Sequence, residues 1–160
     1  MSEKDWLKAA KVIVRASGNP LIQANDTLIK ILQTLLTEEE ARLLHNFRNP
    51  KLTFQELKEK TGMNDSKLMT LLNSLMDNGF VMDEPIPNSD EMEYRLLPPV
   101  ADTFGYSLVN FDRPFEQKKK IAYLFEKMFK EAKELTQTNY KGLLPIFKDN
   151  MPIFARIIPI

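Results

Sequence analysis

The stretch from Thr53 to Val81, TFQELKEKTGMNDSKLMTLLNSLMDNGFV, leaves few folds open. Thr53-Phe54-Gln55-Glu56 is a capping box: the threonine hydroxyl accepts from a free backbone amide, and the glutamate reaches back to the amide of Thr53. It opens a short helix that holds Leu57 and closes at Thr61-Gly62, where glycine can take the left-handed conformation of a helix end. Met63 and Asn64 form the turn, and Asn64 is a good N-cap for a third helix. Leu68, Leu71, Leu72 and Leu75 fall at the spacing of one apolar face, and Asn78-Gly79 stops the helix.

The flanks complete the pattern. Thr37-Glu38-Glu39-Glu40 is another capping box, opening a helix that turns Ala41, Leu44 and Phe47 inward and runs to Asn49-Pro50. After Gly79, Phe80-Val81-Met82 and Met92 to Leu97 predict two strands around a loop, EPIPNSDE, whose prolines and asparagine forbid helix. Helix, capped helix, glycine turn, longer amphipathic helix and hairpin, in that order, predict a winged helix-turn-helix from Thr37 to Pro98. A fold of this kind is mainly α with a small β-hairpin wing, and by itself it specifies no function.

Three segments follow: residues 1–36 as an N-terminal helical arm, 37–98 as the winged helix, and 99–160 as a C-terminal helical extension with an apolar tail. In the arm, Asp5 caps a helix from Trp6 to about Ala16, ended by Gly18 and Asn19-Pro20. A second helix follows Asn25-Asp26, with Leu28, Ile31, Leu32, Leu35 and Leu36 on one side. Pro98-Pro99 marks the second boundary. Beyond it come a helix-compatible stretch, Thr103 to Val109, a strong helix from Pro114 to about Leu135, and a tail, LLPIFKDNMPIFARIIPI, read as more extended than helical.

The third helix is poorly equipped to read DNA. A wheel at about 100° per residue puts Ser66, Thr70, Asn73 and Asp77 opposite the leucines, with Lys67 at the edge. A groove-entering helix normally offers Arg or Lys to guanine and phosphate, and Asn or Gln to adenine; only Asn73 and Lys67 qualify. From Thr61 to Arg95 two basic residues stand against seven acidic ones, and Asp83, Glu84, Asp90, Glu91 and Glu93 make the wing acidic. Each such carboxylate opposes the counterion release that drives phosphate binding. The face favours a protein partner over nucleic acid.

The positive charge lies further on. Between Arg113 and Lys133 there are seven basic residues against three acidic ones, including Lys118, Lys119, Lys120, Lys127, Lys130 and Lys133. That stripe reads as a solvated helix face, as a docking site for an acidic partner, or as the complement of an acidic wing in the same or a second subunit. Its apolar positions, Ile121, Phe125, Met128, Ala132 and Leu135, form a seam of about two heptads, too short to dimerise alone. Packing on the N-terminal helices is the plainer expectation, and a homodimer stays open.

The rest of the composition argues against catalysis. There are no cysteines and one histidine, His45, so no nucleophile–base pair or usual transition-metal site can be assembled. The five glycines are scattered singly, so no phosphate-cradling loop exists. Lys4, Lys8, Lys11 and Arg15 interrupt the first apolar stretch, which excludes a signal peptide there, and no run reaches membrane-spanning length. A cytoplasmic, non-enzymatic protein with no metal or cofactor of its own is expected.

Beginning at TEEEARLL, and continuing through YRLLPPV, the Phe104 to Leu108 pattern, LFEKMFKE and FARIIPI, the chain resembles the N-terminal region of certain prokaryotic iron–sulfur proteins. In those, a helix-turn-helix-like segment precedes a ferredoxin-type domain with two cysteine-rich cluster motifs. The resemblance covers Thr37 to Ile160 and implies a regulatory or docking module with a covalently continuous iron–sulfur domain. No cluster ligand carries over, because the cysteines are absent. The apolar Ile157-Ile158-Pro159-Ile160 would pair with further protein or tuck into this chain's own core. The alternative function is a small DNA-binding transcription regulator acting as a dimer.

Overall fold

Ser2, rather than Asp5, opens the first helix. In the computed structural model, which describes residues 1–18, 21–98, 103–109 and 112–150, helix α1 spans Glu3–Ser17 and Asp5 is the third residue of a capping box on Ser2. The hydroxyl of Ser2 fits the cap as well as a carboxylate does, and placing it there puts two acidic residues in the first turn, against the helix dipole. Gly18 closes α1 at φ 59°.

Helix α2 (Asp26–Leu35) is capped by Asn25, and α3 (Glu38–Leu44) by the Thr37–Glu40 box. Helix α3 is shorter than the pattern suggested. It gives way at His45 to turns that bring Phe47 into the core and lead the chain to a strand, β1 (Lys51–Thr53). This strand was not expected, because a run of three residues offers too little alternation to read. Helix α4 (Phe54–Thr61) follows from the Thr53–Glu56 box and ends at Gly62, φ 65°; helix α5 (Asp65–Asp77) starts on Asn64. Strands β2 (Val81–Pro85) and β3 (Met92–Leu96) make the hairpin.

The sheet is therefore three-stranded and antiparallel, in the order β1-β3-β2. Leu52 pairs with Tyr94 and Val81 with Leu96, so these apolar side chains share the face turned to the helices. Lys51, Arg95, Glu84 and Glu93 occupy the opposite face, as the two-residue period requires. Over the described residues the molecule is mainly helical with this one small sheet.

A single apolar cluster joins the arm, the middle and the extension. Trp6, Ala9 and Ile13 of α1, Leu28, Ile31 and Leu32 of α2, and Leu43 and Leu44 of α3 meet Leu57, Leu68, Leu72 and Phe80. Each such side chain contributes about 1.5–3 kcal/mol on burial. Helix α6 (Phe104–Val109) and the long α7 (Phe115–Asn150) close the fold, α7 lying along α2 and α6. Ile121, Leu124, Phe125 and Met128 bury into this contact, so the seam is used within the chain.

Helix α7 overruns its expected end. Residues 136–150 are helical, interrupted by a non-helical Asn139 (φ −116°, ψ 19°), and Pro145 sits inside the second part. A proline removes one helical hydrogen bond and crowds the preceding turn, yet it does not unwind a stretch whose other residues keep theirs. The expected extended tail is thus helical over 143–150, and its remainder, 151–160, lies outside the described residues, as do Asn19-Pro20 and Pro99.

Candidate docking face

The outward face of α5 is built by the leucines beneath it. Burying Leu68, Leu71, Leu72 and Leu75 forces Ser66, Lys67, Thr70, Asn73 and Asp77 into solvent, and all five are exposed. The helix is fixed at its start by Asn64, whose Oδ1 accepts from the Lys67 amide at 2.9 Å. Two charges here are already engaged. Lys67 Nζ lies 2.7 Å from Glu39 of α3, and Lys58 of α4 lies 2.6 Å from Asp65. The one cation on the face is thus neutralised by a neighbouring helix.

The C-terminal end of α5 is held from far along the chain. Asn78 donates from Nδ2 to the Ser74 carbonyl at 2.9 Å, while its Oδ1 accepts from Arg113. Gly79, at φ 68°, offers its carbonyl to the buried Thr103 hydroxyl at 2.9 Å. Burial draws the Arg113 guanidinium below its ordinary pKa. Sequence reasoning marked Asn78-Gly79 only as a stop; that Thr103 and Arg113 grip this stop had no local signature.

The five acidic residues of the hairpin divide into two kinds. Glu84 and Glu93 belong to an ion network on the outer sheet face: Lys51 Nζ reaches Glu93 at 3.0 Å and Glu84 at 3.2 Å, and Arg95 reaches Glu84 at 2.7 Å. The hydrogen bonds that Lys51 donates to these carboxylates, Glu93 first, raise its pKa. Lys51 lies outside the Thr61–Arg95 stretch and pairs only because β1 joins the sheet. This corrects the expectation that all five carboxylates stand uncompensated. Asp83, Asp90 and Glu91 remain exposed, the last two near a turn held by Asn88 at φ 62°.

Between the end of α5, β2 and α6 lies an open cleft of about 590 Å³. Met76, Tyr106 and Val109, with Val81, Met82 and Leu97, form its apolar part, and Asp77, Asp83 and Asp112 bring carboxylates to it. The structure therefore joins one residue of the α5 face with one of the hairpin, a pairing the sequence did not display.

The six lysines of the basic stripe lie on α7, and three of them are matched locally. Lys130 pairs with Glu126 at 2.8 Å, Lys119 with Glu116 at 3.6 Å, and Lys127 with Glu131 at 3.8 Å. Lys120 and Lys133 are exposed, and Lys118 is partly covered. Glu131 does more than pair with lysine. Its carboxylate accepts from the buried Thr27 hydroxyl at 2.7 Å and from Asn25 Nδ2 at 2.9 Å, tying α7 to the start of α2. Gln117 donates to the Thr34 carbonyl at 2.9 Å near the other end of α2.

His45 sits half-buried at the end of α3, with Nε2 3.0 Å from the Asp5 carbonyl. Burial lowers its pKa, partly offset by that carbonyl. Among the described residues no group of three or more His, Cys, Asp or Glu side chains is placed to hold a metal ion, and the chain lacks the cysteines an iron–sulfur cluster needs. No described helix is long and apolar enough to cross a membrane. Compared with known proteins, the chain matches no family model, no curated protein and no solved structure.

Proposed function

We propose that residues 37–98 form a winged helix-turn-helix whose α5 face docks protein, in a cytoplasmic, non-enzymatic regulatory module. The fold reading is supported by the order α3, β1, α4, α5, β2, β3 and by a strand order that sets β1 beside β3. The observation that carries the functional reading is the Lys67–Glu39 pair at 2.7 Å. It takes up the single cation of the α5 face, leaving hydroxyls, an amide and Asp77. Phosphate contacts supply most non-specific affinity for DNA, and this surface offers few.

The sequence resemblance suggests a ferredoxin-type iron–sulfur domain as the docked or covalently continuous partner. Its cluster ligands would all come from that partner. The alternative is a dimeric DNA-binding regulator, for which α7 would have to supply the phosphate contacts.

Titration of the protein against a labelled random-sequence duplex at low salt tests the choice. Non-specific binders hold duplex with dissociation constants of about 10⁻⁴ to 10⁻⁶ M even at physiological salt. The expected result is no saturation in the micromolar range at low salt. Micromolar binding that weakens steeply as salt rises would transfer the proposal to the DNA regulator.

A further inference from the structure

We infer that Asn78 is a site of spontaneous deamidation, held shut in the folded chain by the α6–α7 corner. It is the only asparagine in the sequence that glycine follows. Such a pair is the one most prone to this chemistry, because glycine has no side chain to keep its amide nitrogen away from the preceding carboxamide. The Gly79 nitrogen gives up its proton and attacks Cγ of Asn78, a C–N bond forms, and Nδ2 leaves as ammonia. Water then opens the resulting succinimide at one carbonyl or the other, leaving aspartate or isoaspartate. Water is the only co-reactant.

The folded chain engages every group that this reaction uses. The Gly79 N–H donates to the Met76 carbonyl at 2.9 Å, so the nucleophile is tied to the last turn of α5. The leaving nitrogen, Nδ2 of Asn78, donates to the Ser74 carbonyl at 2.9 Å, and Oδ1 accepts from Arg113. The Gly79 carbonyl accepts from the buried Thr103 hydroxyl at 2.9 Å. Asn78 is 8% exposed, which limits the water that must finish the reaction. A guanidinium on Oδ1 also draws electrons from Cγ, and by itself would speed the attack. Position outweighs polarity here, because the nitrogen that must attack is held elsewhere by its own hydrogen bond.

The guard can lift without unfolding the chain. Arg113 is only partly buried, yet its Nη1 is enclosed with no partner among the described residues, and burial works against its charge. A cation so incompletely compensated holds the corner less firmly than the apolar cluster holds the helices, so its release from Asn78 is a local opening. The chemistry that follows is not reversed by closing again. Aspartate cannot donate to the Ser74 carbonyl as Nδ2 does. Isoaspartate adds a methylene to the main chain just ahead of Phe80, which is fully buried, and of Val81, which pairs with Leu96. The stop of α5 and the register of the hairpin then shift together, and with them the cleft that Met76, Asp77 and Val81 line. The inference holds whether the α5 face meets protein or DNA.

Incubating the full chain in warm, mildly alkaline buffer, with peptide mass spectrometry over time, reads the conversion of Asn78 to its acid forms. The unaltered chain is expected to react slowly when folded and much faster in denaturant. Arg113→Ala should raise the folded rate about tenfold, the worth of one hydrogen bond to a charged group. Thr103→Val, which leaves the Gly79 carbonyl without its donor, should raise it about fivefold, as the loss of a neutral hydrogen bond does. A circular dichroism melt confirms that each variant is folded at the incubation temperature, and if Arg113→Ala is not, Thr103→Val carries the test. Equal rates with and without denaturant would overturn the inference. So would a folded variant whose Asn78 reacts no faster than in the unaltered chain; a slower one would mean that the guanidinium activates Cγ rather than guarding it.

Discussion

Among the described side chains, helices α5 and α7 each bury four apolar residues and turn a polar face outward, yet they are held in opposite ways. Helix α5 is fixed at its start by a residue adjacent in sequence, Asn64, and it turns sharply at Asn78-Gly79. The polar ties of α7 are long-range. Glu131 reaches Thr27 and Asn25, Gln117 reaches the Thr34 carbonyl, and Arg113, just ahead of the helix, reaches Asn78. The charges differ as well, since the α5 face is neutral to acidic while α7 displays lysines. A chain with 22 basic and 22 acidic residues thus presents two surfaces of opposite character. Net charge describes the sum; docking depends on the segregation.

The largest test of this contrast is Phe125→Ala. Phe125 is 1% exposed in the same apolar cluster as Leu72 of α5, so the loss should be about 3–5 kcal/mol, in the range of buried aromatic truncations. Denaturant unfolding should remain a single transition. Two separated transitions would mean that α7 melts by itself and that the cluster is not one cooperative unit.

Glu131→Ala should cost less, about 1–3 kcal/mol, because it leaves the Thr27 hydroxyl, 1% exposed, without its carboxylate acceptor. Combined with Thr27→Val, the loss should be smaller than the sum of the two singles, a coupling that a double-mutant cycle reads. Additive losses would show that the contact does not tie α7 down. Asn64→Ala, which removes a local cap from α5, should cost about 1 kcal/mol by the same measurement. It should not couple to Glu131→Ala.

The smallest effect concerns pH. His45 holds its proton less tightly when folded than the ordinary 6.5. Between that value and its lower folded pKa the unfolded chain binds more protons, so stability falls as pH drops through this window. His45→Gln should flatten that part of the stability profile. An unchanged slope below 6.5 would assign it to the carboxylates.

What was legible in the sequence follows the same division. The Thr37 and Thr53 boxes, Gly62, Asn64 and the leucine face all depend on residues a few positions apart, and each lies where it was read. Strand β1 was not legible, because its evidence is the partner Tyr94, far along the chain. For the same reason Glu84 and Glu93 looked uncompensated until Lys51 joined them across the sheet. The side-chain assignments of the α5 face needed only a helical wheel. The cleft that collects Asp77, Asp83 and Asp112 needed three elements packed together.

The bed that α2 provides for α7 also sets an order of events at the ribosome. Synthesis proceeds at about 5–20 residues per second from the N-terminus, and contacts between distant segments form late. Helices α1 to α5 and the hairpin can assemble while the side of α2 that receives Ile121, Phe125 and Met128 is still bare. That surface stays sticky until those residues emerge and turn back across more than 80 positions, from Gln117 to Thr34. The nascent chain is most exposed to misassembly in this interval, and α7 ends it.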